Sequence, residues 1–120
     1  MNIILTGATG FIGRNLQKKL SSKSNSKILC ISRSKVKPQF SKNIFFLKCD
    51  LNNLERCKKM IVDFKPDILV HLAWDKIPNF NKKNSKKNEK ISKKLIDFFC
   101  LNTNIKKIIV TGSCFEIENT

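Results

Sequence analysis

The sequence predicts an α/β fold: a doubly wound parallel sheet of about five strands, in the order 3-2-1-4-5, with helices on both faces. Three observations lead there. Short apolar runs alternate with amphipathic segments along the chain. Most of those runs are continuously apolar, as strands buried on both faces must be. The first run, Ile3-Ile4-Leu5, leads straight into Thr6-Gly7-Ala8-Thr9-Gly10-Phe11-Ile12-Gly13, a glycine spacing that turns a strand sharply into a helix.

Strands are expected near 2–6, 27–32, 44–48, 67–72 and 107–112. The first helix, about 11–21, sets Ile12, Leu16 and Leu20 on one face for docking on the sheet, with Lys18 and Lys19 outward. A second helix begins after Asn52 or Asn53, either a good N-cap, aligns Leu54, Cys57, Ile61 and Phe64, and stops before Pro66. The third, about 85–101, emerges from the Lys/Asn-rich run Asn81 to Lys90 and turns apolar at Ile91, Leu95, Ile96 and Phe99. Ser32 to Asn43 shows no periodicity and reads as a loop near the adenosine end of any nucleotide bound here.

At 120 residues the length fits one domain, 1–120, with no room for a separate substrate domain. No apolar run approaches the ~18 residues of a membrane span, and no leader precedes the first strand, so a soluble cytoplasmic protein is expected. Cys30, Cys49, Cys57, Cys100 and Cys114 form no C-x-x-C pair, which points away from zinc and disulfides. The net charge of +15 is nearly all lysine and has no interleaved aromatic platforms, so a solvated basic surface is favoured over a specific nucleic-acid site.

The glycines carry the chemistry. Gly7 permits the sharp turn, Gly10 lets backbone approach phosphates, and Gly13 lets the helix pack closely, so that the helix tip presents free N–H groups and a positive dipole end to a pyrophosphate. A tight turn without a ligand is the weaker alternative. NAD-preferring folds place a carboxylate roughly 20 positions beyond the glycines, on the ribose 2′-OH. Here the second strand ends Ile31-Ser32-Arg33-Ser34, with arginine and hydroxyls in place of an acid, which favours NADP(H) over NAD(H). Arg14 adds a second charge or is a solvated helix residue.

In these segments the chain resembles the extended short-chain dehydrogenase/reductases, the NAD(P)-dependent epimerase/dehydratase group acting on nucleotide sugars, whose cofactor domain has the Rossmann fold. The matching pieces are Thr6 to Gly13, Cys49-Asp50-Leu51, Asp67 to Trp74, Asn88, and Val110 to Glu116. His71-Leu72-Ala73-Trp74 followed by Thr111 to Glu116 is similar to abequose-synthase-type 4-ketohexose reductases. The resemblance implies a cofactor site of Gly7, Thr9, Gly10, Phe11, Ile12, Gly13, Ser32, Arg33, Asp50, Leu51, Leu72, Ala73, Trp74 and Asn88. Asp50 and Leu51 would contact the adenine, while Ser113 would hydrogen-bond the reacting oxygen of a nucleotide-linked sugar.

Read without the resemblance, Asp50 is equally a turn cap, Thr111-Gly112-Ser113 a strand-end turn, and the sole histidine a satisfied core imidazole rather than a base. Trp74 to Phe80 is evenly a pocket wall or a surface loop. The family's proton donor is a tyrosine assisted by a lysine four residues later. This chain contains no tyrosine, so the dyad is not on it. The expectation is a catalytically incomplete cofactor half, completed by a further C-terminal segment, with a homodimer as another partner. The alternative is a non-catalytic NADP(H)-binding module. Without the dyad helix, Leu95, Phe98 and Phe99 are expected to lose some cover.

Overall fold

The computed structural model describes residues 1–23, 25–34, 42–73 and 82–111. Five parallel strands, β1 (Asn2–Thr6), β2 (Lys27–Ser32), β3 (Ile44–Lys48), β4 (Ile68–His71) and β5 (Lys107–Val110), form one sheet in the order β3-β2-β1-β4-β5. The order reverses between β1 and β4. There the connections leave to opposite sides and open a crevice at the carboxyl edge.

Strand alternation divides the core between the two faces. Ile4, Leu29, Ile31, Leu47 and Leu69 point to one side, where they meet Ile61, Leu95, Phe98 and Phe99. Ile3, Leu5, Ile28, Cys30 and Ile44 point to the other and pack with Leu16 and Leu20 of α1 (Phe11–Ser21). β1, central and covered on both sides, is buried from Ile3 through Thr6.

The inward face of α1 differs from the expected one. Leu16 and Leu20 pack on the sheet, but Ile12 is 59% exposed and the buried positions are Gly13 and Gln17. A Cβ on Gly13 would lie 2.2 Å from the Gly7 carbonyl oxygen and 2.7 Å from Ala8 Cα. That contact turns the Gly13–Gln17 stripe inward and swings Ile12 out.

The second helical segment also starts differently. A 3-10 turn, Leu51–Cys57, begins at Asp50, whose carboxylate accepts from the Asn52 amide at 2.9 Å. Asn53 breaks the helical path (φ −140°, ψ 55°), so neither Asn52 nor Asn53 serves as an N-cap, and α2 (Lys58–Phe64) follows. The side chains still align as the spacing requires: Leu54 and Ile61 are buried, with Cys57 and Phe64 against them. Lys65 ends α2 in the left-handed region (φ 53°), ahead of Pro66.

α3 (Lys82–Asn102) starts earlier than position 85, within the polar run itself. Asn84 and Asn88 lie on its buried face and continue the stripe of Leu95 and Phe99. The expected loss of cover over Leu95, Phe98 and Phe99 does not occur: they are 0%, 7% and 0% exposed, with Phe98 and Phe99 edge to face at 5.5 Å. Leu101 of the same helix and Ile109 and Val110 of β5 are, by contrast, among the exposed apolar groups.

At the amino edge of the sheet Asp67 ties three strands together. Its carboxylate accepts from the Asn2 amide (2.9 Å) and meets Lys106 Nζ (3.5 Å), while its backbone N–H donates to the Asn2 carbonyl (2.7 Å). The Asn2 amide, with Lys106 adding its charge, holds the Asp67 carboxyl below the ordinary carboxylate range.

Candidate nucleotide-binding site

An open cleft of about 340 Å³ lies at the carboxyl edge, where the sheet order reverses. Its floor is the turn from β1 into α1. Gly7 adopts φ +70°, and a Cβ there would sit 2.7 Å from both the Ala73 nitrogen and the Leu72 carbonyl carbon, so only glycine fits between β1 and the end of β4. Gly10 is different. It is the N-cap of α1 in extended conformation (φ −75°, ψ 177°), and among the described residues a Cβ would meet only the Gly7 carbonyl oxygen, at an ordinary 3.5 Å. No described neighbour therefore requires glycine at position 10, which lines the cleft.

Gly10 has no side chain to cap α1, and the first turn holds no acid. The leading N–H groups of an α-helix have no intrahelical acceptor, so this tip offers donors and a partial positive charge to an anion. The loop that carries it is pinned from behind by Gln17, whose buried amide donates to the Ala8 carbonyl at 2.7 Å. That pin was not foreseen, although its signal, a polar residue one turn beyond Gly13 on the same face, stands in the sequence.

Ser32, Arg33 and Ser34, at the end of β2, form one end of the cleft, and Asp50, Leu51 and Asn52 the adjacent wall. The Ser34 amide donates to Ser32 Oγ at 3.3 Å, turning the chain beneath the exposed Arg33. Asp50 caps the 3-10 turn, as one of its two readings had it, and its position also lines the cleft. Leu72 and Ala73 form the opposite wall, and Asn88 and Ile91 of α3 close it from above, with Asn88 Nδ2 donating to the Asn84 carbonyl at 2.9 Å.

Of the site residues expected from the sequence, the fold thus brings Gly7, Thr9, Gly10, Ser32, Arg33, Asp50, Leu51, Leu72, Ala73 and Asn88 into one cleft. Gly13 stands behind it as a packing position, and Phe11 and Ile12 point their side chains to solvent from the helix tip. Trp74, Ser113 and the segment 75–80 lie outside the described residues. Ala8, Ile31, Ser34, Cys49, Asn52 and Ile91 also line the cleft, though none was expected as a cofactor contact. Burial pushes the Cys49 thiol up to about 12, with the Cys57 thiol adding to the effect, so Cys49 is an inert wall. Among the described residues, no group of three His, Cys, Asp or Glu side chains is placed to hold a metal ion. No helix among them is long and apolar enough to cross a membrane.

The model of the NAD dependent epimerase/dehydratase family matches residues 3–118, nearly the whole chain. The chain belongs to that family. Two curated relatives of this epimerase/dehydratase chain are Protein CapI of Staphylococcus aureus and the dTDP-6-deoxy-L-talose 4-dehydrogenase (NAD(+)) of Aggregatibacter actinomycetemcomitans. The first is 31% identical over 83 residues, 61% of this chain and 25% of that protein. The second is 34% identical over 74 residues, 62% of this chain and 27% of that protein.

Among solved structures, UDP-glucose-4-epimerase of Stenotrophomonas maltophila, with bound NAD, superposes at a TM-score of 0.77 with 15% identity, over 96% of this chain and 38% of that one. The dTDP-glucose 4,6-dehydratase of Bacillus anthracis, in complex with NAD, gives 0.70 and 25% identity over 92% of this chain and 36% of that one. The chain therefore spans about a quarter of the curated relatives and under two-fifths of the enzymes it superposes on.

Proposed function

We propose that this chain is the dinucleotide-binding half of a nucleotide-sugar epimerase, dehydratase or reductase, and that it is catalytically incomplete alone. The observation that carries the reading is the uncapped tip of α1 beside Gly10, a glycine that none of the described residues around it requires. Room for a ligand and unsatisfied donors coincide there, as a pyrophosphate needs. A nicotinamide dinucleotide bound in the cleft would supply the hydride chemistry. Around it, the tip of α1 would hold the pyrophosphate, Asp50 and Leu51 would flank the adenine, and Leu72 and Ala73 would exclude water from the opposite side. Asn88 would close the cleft over the ribose.

Arg33 supports a preference for NADP(H) over NAD(H), because the cleft end it lines offers a guanidinium and two hydroxyls and no carboxylate. Incompleteness rests on chemistry: the alkoxide formed or consumed by hydride transfer needs a proton partner, and no tyrosine is present to serve. Ser113 would steady the substrate oxygen once a second segment supplied the donor, and that segment or a second copy of the chain is the partner we infer. A cytoplasmic, deoxysugar-related role fits both this reading and the kind of relatives found. The absence of tyrosine also favours a second reading, a non-catalytic NADP(H)-binding module acting as sensor or scaffold.

Calorimetric titration tests the proposal. NADPH is expected to bind more tightly than NADH, and Arg33→Ala to weaken NADPH about tenfold, ~1.4 kcal/mol, while leaving NADH within about twofold. Equal affinities in the unaltered chain would remove the preference, and no binding of either would remove the cofactor reading. Turnover of a nucleotide sugar by the chain alone would refute incompleteness. Turnover restored by an added tyrosine-bearing segment would decide against the module.

A further inference from the structure

The cleft wall opposite the α1 tip is held by a buried chain of hydrogen bonds through the sole histidine. Thr6 Oγ1, completely buried at the end of β1, lies 2.6 Å from His71 Nδ1, and His71 Nε2 lies 3.0 Å from Ser92 Oγ on α3. The same Thr6 oxygen accepts from the backbone amides of Leu72 (3.1 Å) and Ala73 (3.2 Å). A hydroxyl has one proton and two lone pairs. With both lone pairs engaged by Leu72 and Ala73, the proton of Thr6 must go to His71 Nδ1. That nitrogen is then a bare acceptor, and the ring is the neutral Nε2–H tautomer, donating to Ser92.

From this arithmetic we propose that His71 is a positioning residue for the dinucleotide cleft: its neutral ring orients the Thr6 hydroxyl so that Thr6 can hold the Leu72 and Ala73 amides together against Gly7. The inference rests on the cofactor reading above. The two amides are held differently: Leu72 has a second acceptor in the Thr6 carbonyl at 3.3 Å, whereas Ala73 is held at Thr6 Oγ1, so Leu72 is the one released when a further donor competes for that oxygen. The Ala73 nitrogen is also one of the atoms closest to Gly7, 2.7 Å from where its Cβ would stand.

A proton taken from water onto Nδ1 turns that nitrogen into a donor. It then needs an acceptor, and the one within reach among the described residues is the Thr6 oxygen, which can accept it only by releasing an amide. Among the described residues little else facing the ring titrates. β1 carries no charged side chain, and β5 brings only Lys107, opposite Ile68 at the far end of β4. The charged residues flanking Ser92 on α3, namely Glu89, Lys90, Lys93 and Lys94, are exposed. His71 itself is 3% exposed, and burial lowers its pKa from the ordinary 6.5.

The test uses the whole chain labelled with 15N, in which one histidine gives one set of ring signals. NAD+ is the ligand, because a 2′-phosphate would titrate in the same range, near a pKa of ~6. At neutral pH the ring proton should reside on Nε2. As pH falls and the ring charges, the Leu72 amide signal should shift most, with Ala73 following, and NAD+ affinity should drop about tenfold, with one common midpoint. His71→Asn, whose side-chain oxygen can accept from Thr6 but cannot take the proton, should keep neutral-pH affinity and lose the acid-induced drop.

A proton on Nδ1, an affinity indifferent to the ring's titration, or an unchanged acid drop in the Asn variant would each overturn the proposal. If the variant does not fold, the ring and amide signals of the unaltered chain still decide. If NAD+ binds at no pH, the cofactor reading fails by itself; the positioning role then stands or falls on whether the Leu72 amide shifts with the ring.

Discussion

Replacing Gly10 by alanine separates a ligand-driven glycine from a fold-driven one. At φ −75° and ψ 177° alanine is unstrained, and among the described residues its methyl would meet only the Gly7 carbonyl oxygen, at 3.5 Å. Alanine is a poorer N-cap than glycine, by ~0.5–1 kcal/mol, while the stiffer unfolded chain returns ~0.4–1 kcal/mol, so the net change in stability should lie within about 0.5 kcal/mol. Binding should respond differently. The methyl projects toward the space ahead of the helix tip, where a pyrophosphate needs close backbone approach. Intruding one methyl group into a filled site costs ~1–3 kcal/mol, or about 5- to 150-fold in affinity. Gly13→Ala is the contrast: a Cβ at 2.2 Å from the Gly7 oxygen forces α1 away from the loop and should cost ~3 kcal/mol or more of stability. Urea denaturation gives the first quantity and NADPH calorimetry the second. Gly10→Ala binding NADPH like the parent chain would refute the assignment of the helix tip as the phosphate site.

Two further predictions concern the frame around the site. Because the folded-state pKa of Asp67 is lowered, the unfolded chain takes up its proton first on acidification. Its contribution is therefore complete above the unfolded value near 3.8 and is lost as pH falls through the folded one. Urea midpoints followed from about pH 5 to about pH 2 should fall, and Asp67→Asn should flatten that fall; an identical slope in the variant would place the acid sensitivity elsewhere. Burial pushes the thiols of Cys30 and Cys49 up to about 12, whereas Cys100 is exposed. Iodoacetamide followed by mass spectrometry should label Cys100 in the folded protein and reach Cys30 and Cys49 only on unfolding. Early labelling of Cys30 would mean that the β1–β2 core opens.

Local rules determined much of this protein from its sequence alone. Strand runs, helix periodicity and the glycine spacing depend on neighbours within a few positions, so the five strands, their order and the cleft at the sheet reversal were all legible. So were Gly7, Arg33 and Asp50 as residues of one edge. Tertiary structure decided what depends on distant partners. Contact between Gly13 and the Gly7–Ala8 backbone rotated α1, buried Gln17 and exposed Ile12, against the apolar pattern. Asp50 captured the Asn52 amide and delayed α2 to Lys58, where asparagine caps had been expected. The join between Thr6 and His71 spans 65 positions, and no local pattern signals it. It exists because β1 and β4 lie side by side and a buried polar atom must find its partner across that seam, wherever the partner falls in the chain.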